Sequence, residues 1–285
     1  MKIIRTVADL KSEVAHIKGK GQSIGLVPTM GALHEGHLSL IRKAKKDNDI
    51  VITSIFVNPT QFNNPEDLVK YPRTEKADTD KLENEGVDIA FIPSVEDVYP
   101  EEDTRIFELG QVAEVMEGKM RPGHFNGVAQ IVSKLFDWAE PDRAYFGEKD
   151  FQQIAVIRRL VELGNYPLEI VDCPINRETD GLARSSRNMR LTEEQRKVAP
   201  VIFKTLSESK KWKKEGVKPQ TVIEKVTETL DSYPHLKTEY FTIVDSKTLL
   251  PVEDWNTTSD SYPIGCIAIF CGDVRLIDNI KYIEN

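Results

Sequence analysis

Apolar, β-branched runs recur along the first part of the chain, at Ile24–Pro28, Ile50–Val57, Val87–Pro93, Arg143–Phe146 and Leu168–Asp172. They are continuous more than alternating, which predicts strands covered on both faces. Between them, Gly36–Asp47, Thr74–Glu85, Asn126–Trp138 and Lys149–Leu163 carry helical patterns. Strands alternating with helices predict a parallel sheet with helices on both sides, and ligands at the carboxyl ends of its strands. The fold class expected is therefore α/β, a Rossmann-like doubly wound sheet.

The pattern changes after about residue 176. Leu191–Lys214 and Thr221–Tyr233 read as amphipathic helices, and Thr192 ahead of Glu193, Glu194 and Gln195 supplies a cap and an acidic first turn. Three alternating segments follow, Lys237–Asp245, Gly265–Cys271 and Val274–Ile280, with Gly272-Asp273 as a hairpin turn. Two domains are expected: residues 1–176 as the ligand-binding α/β domain, and residues 177–285 as a smaller α+β domain.

Composition narrows the class only a little. The chain has 285 residues, 40% of them hydrophobic, and a formal charge of −8. That balance speaks against a broad nucleic-acid-binding face, which needs concentrated positive charge. Cys173, Cys266 and Cys271 form no CxxC pair and suggest reduced thiols in a cytoplasmic protein. The start, Met1-Lys2-Ile3-Ile4-Arg5-Thr6, lacks a signal-peptide stretch, and no run approaches the roughly 18 apolar residues of a membrane span.

Candidate chemistry concentrates where strands run into helices. Val27–Leu38 passes from a predicted strand into a predicted helix and holds Gly31, His34, Gly36 and His37. The glycines permit close backbone approach. A helix start offers free N–H groups and a positive dipole end, which suits phosphate. His34 and His37 share a helix face and can donate hydrogen bonds to a triphosphate. The spacing is not HExxH, so a zinc protease is not suggested, and no GxGxxG fingerprint is present. Asn58 and Gln61 follow the second strand, and their amides can bind a carboxylate or hydroxyl without adding charge. Lys149 follows another strand and can act as a point charge on phosphate, with Asp150 in the first helical turn. Ser185, Ser186 and Arg187 combine hydroxyls with a guanidinium, an anion clamp if they are not simply a solvated basic loop. Asp78 is a candidate outer ligand for Mg²⁺, or else a surface helix acid.

His34-Glu35-Gly36-His37 resembles the HIGH motif of nucleotidyltransferases. The longer string Pro28–Leu38 resembles the pantothenate synthetase family specifically. The similarity continues through Phe56–Phe62, Tyr71–Thr74, Arg121–Phe125, Tyr145–Gln153 and Ser185–Asn188. The resemblance implies an acid–amine ligase that activates pantoate with ATP as pantoyl adenylate, then passes it to β-alanine. It implies Mg²⁺ as companion of ATP, a homodimer, and no nucleic-acid or membrane partner.

The resemblance also implies roles. Gln61 and Gln153 would hold pantoate, with Asn58 beside them and Pro28, Met30 and Phe62 as an apolar wall. Lys149 would take phosphate, and Gly147 with Asp150 the ribose. Met30, Gly31 and Phe146 would join the ATP site, as would Ser185, Ser186 and Arg187, in a loop corresponding to the KMSKS loop of the superfamily. Arg121 and His124 would meet β-alanine or help close the site. One departure stands out: the family pattern has methionine before Ser-Ser-Arg-Asn, and here it is Arg184. Two other classes share these motifs, an enzyme transferring AMP to a phosphate acceptor and a non-catalytic nucleotide sensor. The first would need a basic acceptor pocket, and the second would not need both histidines, Lys149 and the serine–arginine loop together.

Overall fold

Alternate residues of the central strands enter two different apolar cores, and that division organises the first part of the molecule. In the computed structural model, which describes residues 1–63, 65–258 and 260–283, six strands pair in parallel: β1 Lys2–Ile4, β2 Ile24–Thr29, β3 Ile50–Ile55, β4 Ile89–Phe91, β5 Arg143–Gly147 and β6 Glu169–Cys173. Their order is β1-β4-β3-β2-β5-β6. Ile24, Leu26, Ile52, Ile89 and Phe91 face one core, closed by helices Val7–Gly19, His124–Ala139 and Phe151–Gly164. Val27, Val51 and Ala90 face the other, closed by helices Glu35–Asp47 and Glu75–Asn84. The sheet is thus wound on both faces. Chain direction across the sheet reverses between β2 and β5, the crevice where such folds bind ligands.

The chain divides into two units. The first holds Met1–Glu148 and Gln152–Pro174; the second runs from Ile175 onward and takes in Lys149–Phe151. In the second, β7 Leu236–Asp245, β8 Pro263–Cys271 and β9 Val274–Lys281 form an antiparallel sheet. Gly272, at φ +58°, turns β8 into β9. Helices Val201–Lys214 and Pro219–Asp231 cover it, with Leu206, Val222, Val226 and Leu230 fully buried.

Three local readings change. β1 and helix Val7–Gly19 were not anticipated, although Leu10, Val14 and Ile17 bury at helical spacing. The segment expected as one helix over Leu191–Lys214 is two, Glu193–Val198 and Val201–Lys214. Pro200 stands between them and has no N–H to continue the first. The helix expected from Lys149 begins at Phe151, after a single turn at Glu148–Asp150.

Candidate active site

The loop between β2 and helix Glu35–Asp47 takes a shape that few sequences allow. Gly31 sits at φ +80°, and a Cβ there would lie 3.1 Å from both Ile55 and the Asp78 carboxylate. Ala32 follows at φ +50°, an uncommon conformation for a residue with a side chain. What holds the loop is Asp78, which is 0% exposed. Its Oδ2 accepts the Ala32 N–H at 2.9 Å and its Oδ1 the Leu33 N–H at 2.7 Å. The Thr74 hydroxyl adds a third bond at 3.0 Å. A buried carboxylate persists only with such charge-assisted partners. Asp78, expected as an outer Mg²⁺ ligand, has its carboxylate committed to the loop.

The anchored loop delivers two imidazoles to a helix start. His34 is the residue before the helix, and its backbone N–H donates to Nδ1 of His37 at 3.3 Å. Nδ1 of His37 is then an acceptor, so in the neutral ring the proton is on Nε2. The rings stack, with centroids 4.0 Å apart and planes 27° from parallel. Both are half-buried. Two adjacent N–H-bearing rings at a positive helix end can bind an anion or steady negative charge as it develops.

Beside β3, an amide network sets one donor. Asn58, expected to touch the acid substrate, is 1% exposed and fully used within the protein. Its Nδ2 donates to Gln61 Oε1 at 3.1 Å and to the Gly127 carbonyl at 3.0 Å. Its Oδ1 accepts from the hydroxyls of Tyr99 at 2.8 Å and Thr60 at 3.2 Å. Burial pushes the Tyr99 phenol up to about 12, so it remains a donor through neutral pH. With its oxygen held, Gln61 points Nε2 toward Met30 Sδ, 3.1 Å away. Asn58 is therefore a support and Gln61 the presented amide. Gly127 permits this approach, because a Cβ there would meet the Thr60 carbonyl at 2.3 Å.

His124 likewise turns inward. It is 6% exposed; Nδ1 bonds the Gln61 carbonyl at 2.8 Å and Nε2 bonds Arg121 at 3.0 Å. Since Arg121 can only donate, Nδ1 of His124 carries the proton. Arg121 also faces Glu117 at 3.6 Å. The His124 ring, expected near β-alanine, props the Gln61 backbone instead. Of the adjacent amides on the helix after β5, Gln152 is 6% exposed and bonds Val112, Val115 and Glu117 backbone groups. Gln153 carries none of these bonds and is half-buried. Pro28 and Phe62 are half-buried too, with Phe62 edge-on to Tyr71 at 5.7 Å. Phe146, expected at the ATP site, is 5% exposed within the core, leaving only its backbone for a ligand. Gly147 ends β5 with open space where a Cβ would be.

The second unit gathers the other expected residues. Lys149, Ser185 and Arg187 line one cavity with Asn188, Arg275 and Asp278. Lys149 is 3.6 Å from the Asp150 carboxylate. Ser185 caps the turn Ser186–Arg190, its hydroxyl accepting the Arg187 N–H at 3.2 Å. Ser186 opens that turn, half-buried. Arg184 is tied to Glu178 at 3.0 Å, so its side chain serves the preceding hairpin. Among the described residues, no three His, Cys, Asp or Glu gather to hold a metal ion, and no helix is long and apolar enough to cross a membrane. Tyr99, Gln152, Arg177 and Asn279 take roles that no local pattern announces, because partners of each lie far along the chain.

Residues 2–281 match the family described as Pantoate-beta-alanine ligase. The pantothenate synthetase of Porphyromonas gingivalis is 58% identical over 282 residues, 99% of each chain. That of Bacteroides fragilis is 54% identical over the whole of both. A crystal structure of pantothenate synthetase from Thermus thermophilus superposes with a TM-score of 0.92 at 41% identity, covering 100% of both chains. A pantoate-beta-alanine ligase from Francisella tularensis, complexed with beta-gamma ATP and beta-alanine, gives 0.84 at 37% identity, covering 100% of this chain and 99% of that one.

Proposed function

The chain belongs to the pantoate–β-alanine ligase family and condenses pantoate with β-alanine, at the expense of ATP and through a pantoyl adenylate; we propose how its residues divide that work. The observation that carries the assignment is the anchored loop, with its stacked His34–His37 pair at a helix start.

Pantoate is already a carboxylate, so its attack on the α-phosphorus needs no general base. The oxygen–phosphorus bond forms as the bond to pyrophosphate breaks, and the protein's task is positioning and charge stabilisation. His37 donates from Nε2, and His34 stands against it. Lys149, Ser185 and Arg187 neutralise the triphosphate, with Ser186 beside them. Met30, Gly31 and the backbone of Phe146 border the nucleotide, while Gly147 and Asp150 receive its ribose. Gln61 and Gln153 hold the hydroxyls and carboxylate of pantoate. Pro28, Met30 and Phe62 face its methyl groups. The β-alanine amine then attacks the acyl carbon, AMP leaves with the electron pair of the broken bond, and the amine's proton passes to solvent. Arg121 is the cation proposed for the β-alanine carboxylate.

Mg²⁺ belongs to the proposal as a companion of ATP, screening phosphate charge. The described residues offer it no cage, since Asp78 is committed to the loop and no three His, Cys, Asp or Glu among them gather to hold a metal ion. The second unit is proposed as a lid. A cytoplasmic setting is supported by three buried cysteines that form no disulfide with one another, and a homodimer by the family resemblance.

The test is product release from ATP and pantoate, with and without β-alanine. Pyrophosphate should require pantoate, and AMP should be released in quantity only when the amine is added. Pyrophosphate release independent of pantoate would overturn the reading.

A further inference from the structure

The two segments of the second unit proposed to handle phosphate are mounted on the same strand. Asn279 of β9 is 3% exposed, and its Nδ2 donates to the Lys149 carbonyl at 3.3 Å. The adjacent Asp278 accepts both terminal nitrogens of Arg177, at 2.6 and 2.9 Å. Arg177 lies over Phe203, its guanidinium carbon 3.7 Å from the ring centre, and donates to the Gly181 carbonyl at 3.1 Å. It bridges to Ala183 as one arm of the hairpin that leads into Ser185. Arg177 also reaches the Asn279 carbonyl, and the Asn279 N–H donates to Asp278 Oδ1 at 2.7 Å. One network thus runs from the Lys149 backbone to the base of the Ser185–Arg187 loop. Lys149, Ser185, Arg187 and Asp278 line the same cavity.

A buried ion pair contributes little net stability compared with apolar residues of the same shape, so its value here is geometric. A bidentate guanidinium–carboxylate pair has one orientation, which fixes the hairpin's angle to the strand. We propose that Asp278 and Asn279 are positioning residues for adenylate formation: they set the distance between the Lys149 cation and the Ser185–Arg187 hydroxyl and guanidinium. The inference rests on the phosphate roles given to those residues above.

The test uses Asn279→Ala and Arg177→Lys, which leave Lys149, Ser185 and Arg187 in place. Three quantities are measured: thermal melting, pantoate-dependent exchange of pyrophosphate into ATP, and pantothenate formation from preformed pantoyl adenylate with β-alanine. The expected result is an exchange kcat lowered about tenfold or more, because small misplacements of charge are costly in a chemical step. The pantoate KM and the second half-reaction should be unchanged. Equal loss of both half-reactions, or loss of the fold in both variants, overturns the proposal in favour of a structural role. So does wild-type exchange in both variants while Lys149→Ala and Arg187→Ala are impaired. If Lys149→Ala and Arg187→Ala also exchange normally, the phosphate assignments themselves fail, and the positioning proposal with them.

Discussion

Replacing Asp78 with asparagine separates two roles that a single acidic residue near a nucleotide could have. The carboxylate is fully buried, with two backbone N–H groups and one hydroxyl converging on it at 2.7, 2.9 and 3.0 Å. Asparagine keeps one acceptor oxygen and sets an NH₂ against one of the loop amides. A hydrogen bond to a charged group contributes about 1.5–3 kcal/mol, and a buried donor left unsatisfied costs about 1–3 kcal/mol. The two overlap, since the charge is lost at the same contact that gains the mismatched donor, and the destabilisation is about 3 kcal/mol, with the loop that carries His34 no longer held in its strained conformation. At about 2–4 °C per kcal/mol for a unit of this size, the first unit should melt about 6–12 °C lower. The assay is thermal unfolding beside pantoate-dependent pyrophosphate exchange across a Mg²⁺ titration. The expected outcome is lower stability and a lower exchange rate at every Mg²⁺ concentration. Unchanged melting, with exchange restored by raising Mg²⁺, would refute the anchoring role and return Asp78 to the metal.

Tyr99→Phe removes the closer of two donors to Asn58 Oδ1, leaving the Thr60 hydroxyl in place, a loss of about 0.5–1.5 kcal/mol for one hydrogen bond, and should raise the pantoate KM more than the ATP KM in steady-state kinetics. Burial holds this phenol up to about 12, above the ordinary value of about 10, so folding favours the protonated form. Its contribution is complete below about pH 10 and lost as pH rises through about 12, so Tyr99→Phe should flatten part of the alkaline fall in stability measured by urea unfolding. Arg184→Met restores the residue of the family pattern and removes a partly exposed pair with Glu178, side chains 28% and 31% exposed. Stability should change by no more than about 1 kcal/mol, and the ATP KM should hold, since the side chain serves the hairpin.

The doubly wound sheet was legible because strands covered on both faces leave continuous apolar runs, and Ile24–Pro28 or Ile50–Val57 can be read in no other way once helices alternate with them. The histidine pair was legible in part, being close in sequence, but His34 stands before the helix in extended conformation and not on its face, and the loop that brings it there is held by Asp78. Asp78 itself was not legible, because the amides it binds lie 45 and 46 residues away. Asn58 and Gln61 look alike in sequence, and only the arrival of Tyr99 and Gly127 decides which amide is consumed and which is presented. Gln152 and Gln153 differ in the same way, by which side of one helix meets the Val112–Glu117 segment. Motifs mark the neighbourhood of the chemistry, while tertiary packing assigns each side chain to ligand or scaffold. Pro200 is the opposite case: the break it makes in the helical segment was visible in the chain, and the continuous amphipathic pattern around it hid the consequence.

We propose that the stacked imidazoles stabilise charge as the adenylate forms. That role is tested most directly by pantoate-dependent exchange of pyrophosphate into ATP in His37→Ala, at saturating substrates, with folding verified by thermal melting. Loss of one donor aimed at developing charge predicts an exchange rate lower by about a hundredfold with the pantoate KM little changed. A folded variant that exchanges at the wild-type rate contradicts the account.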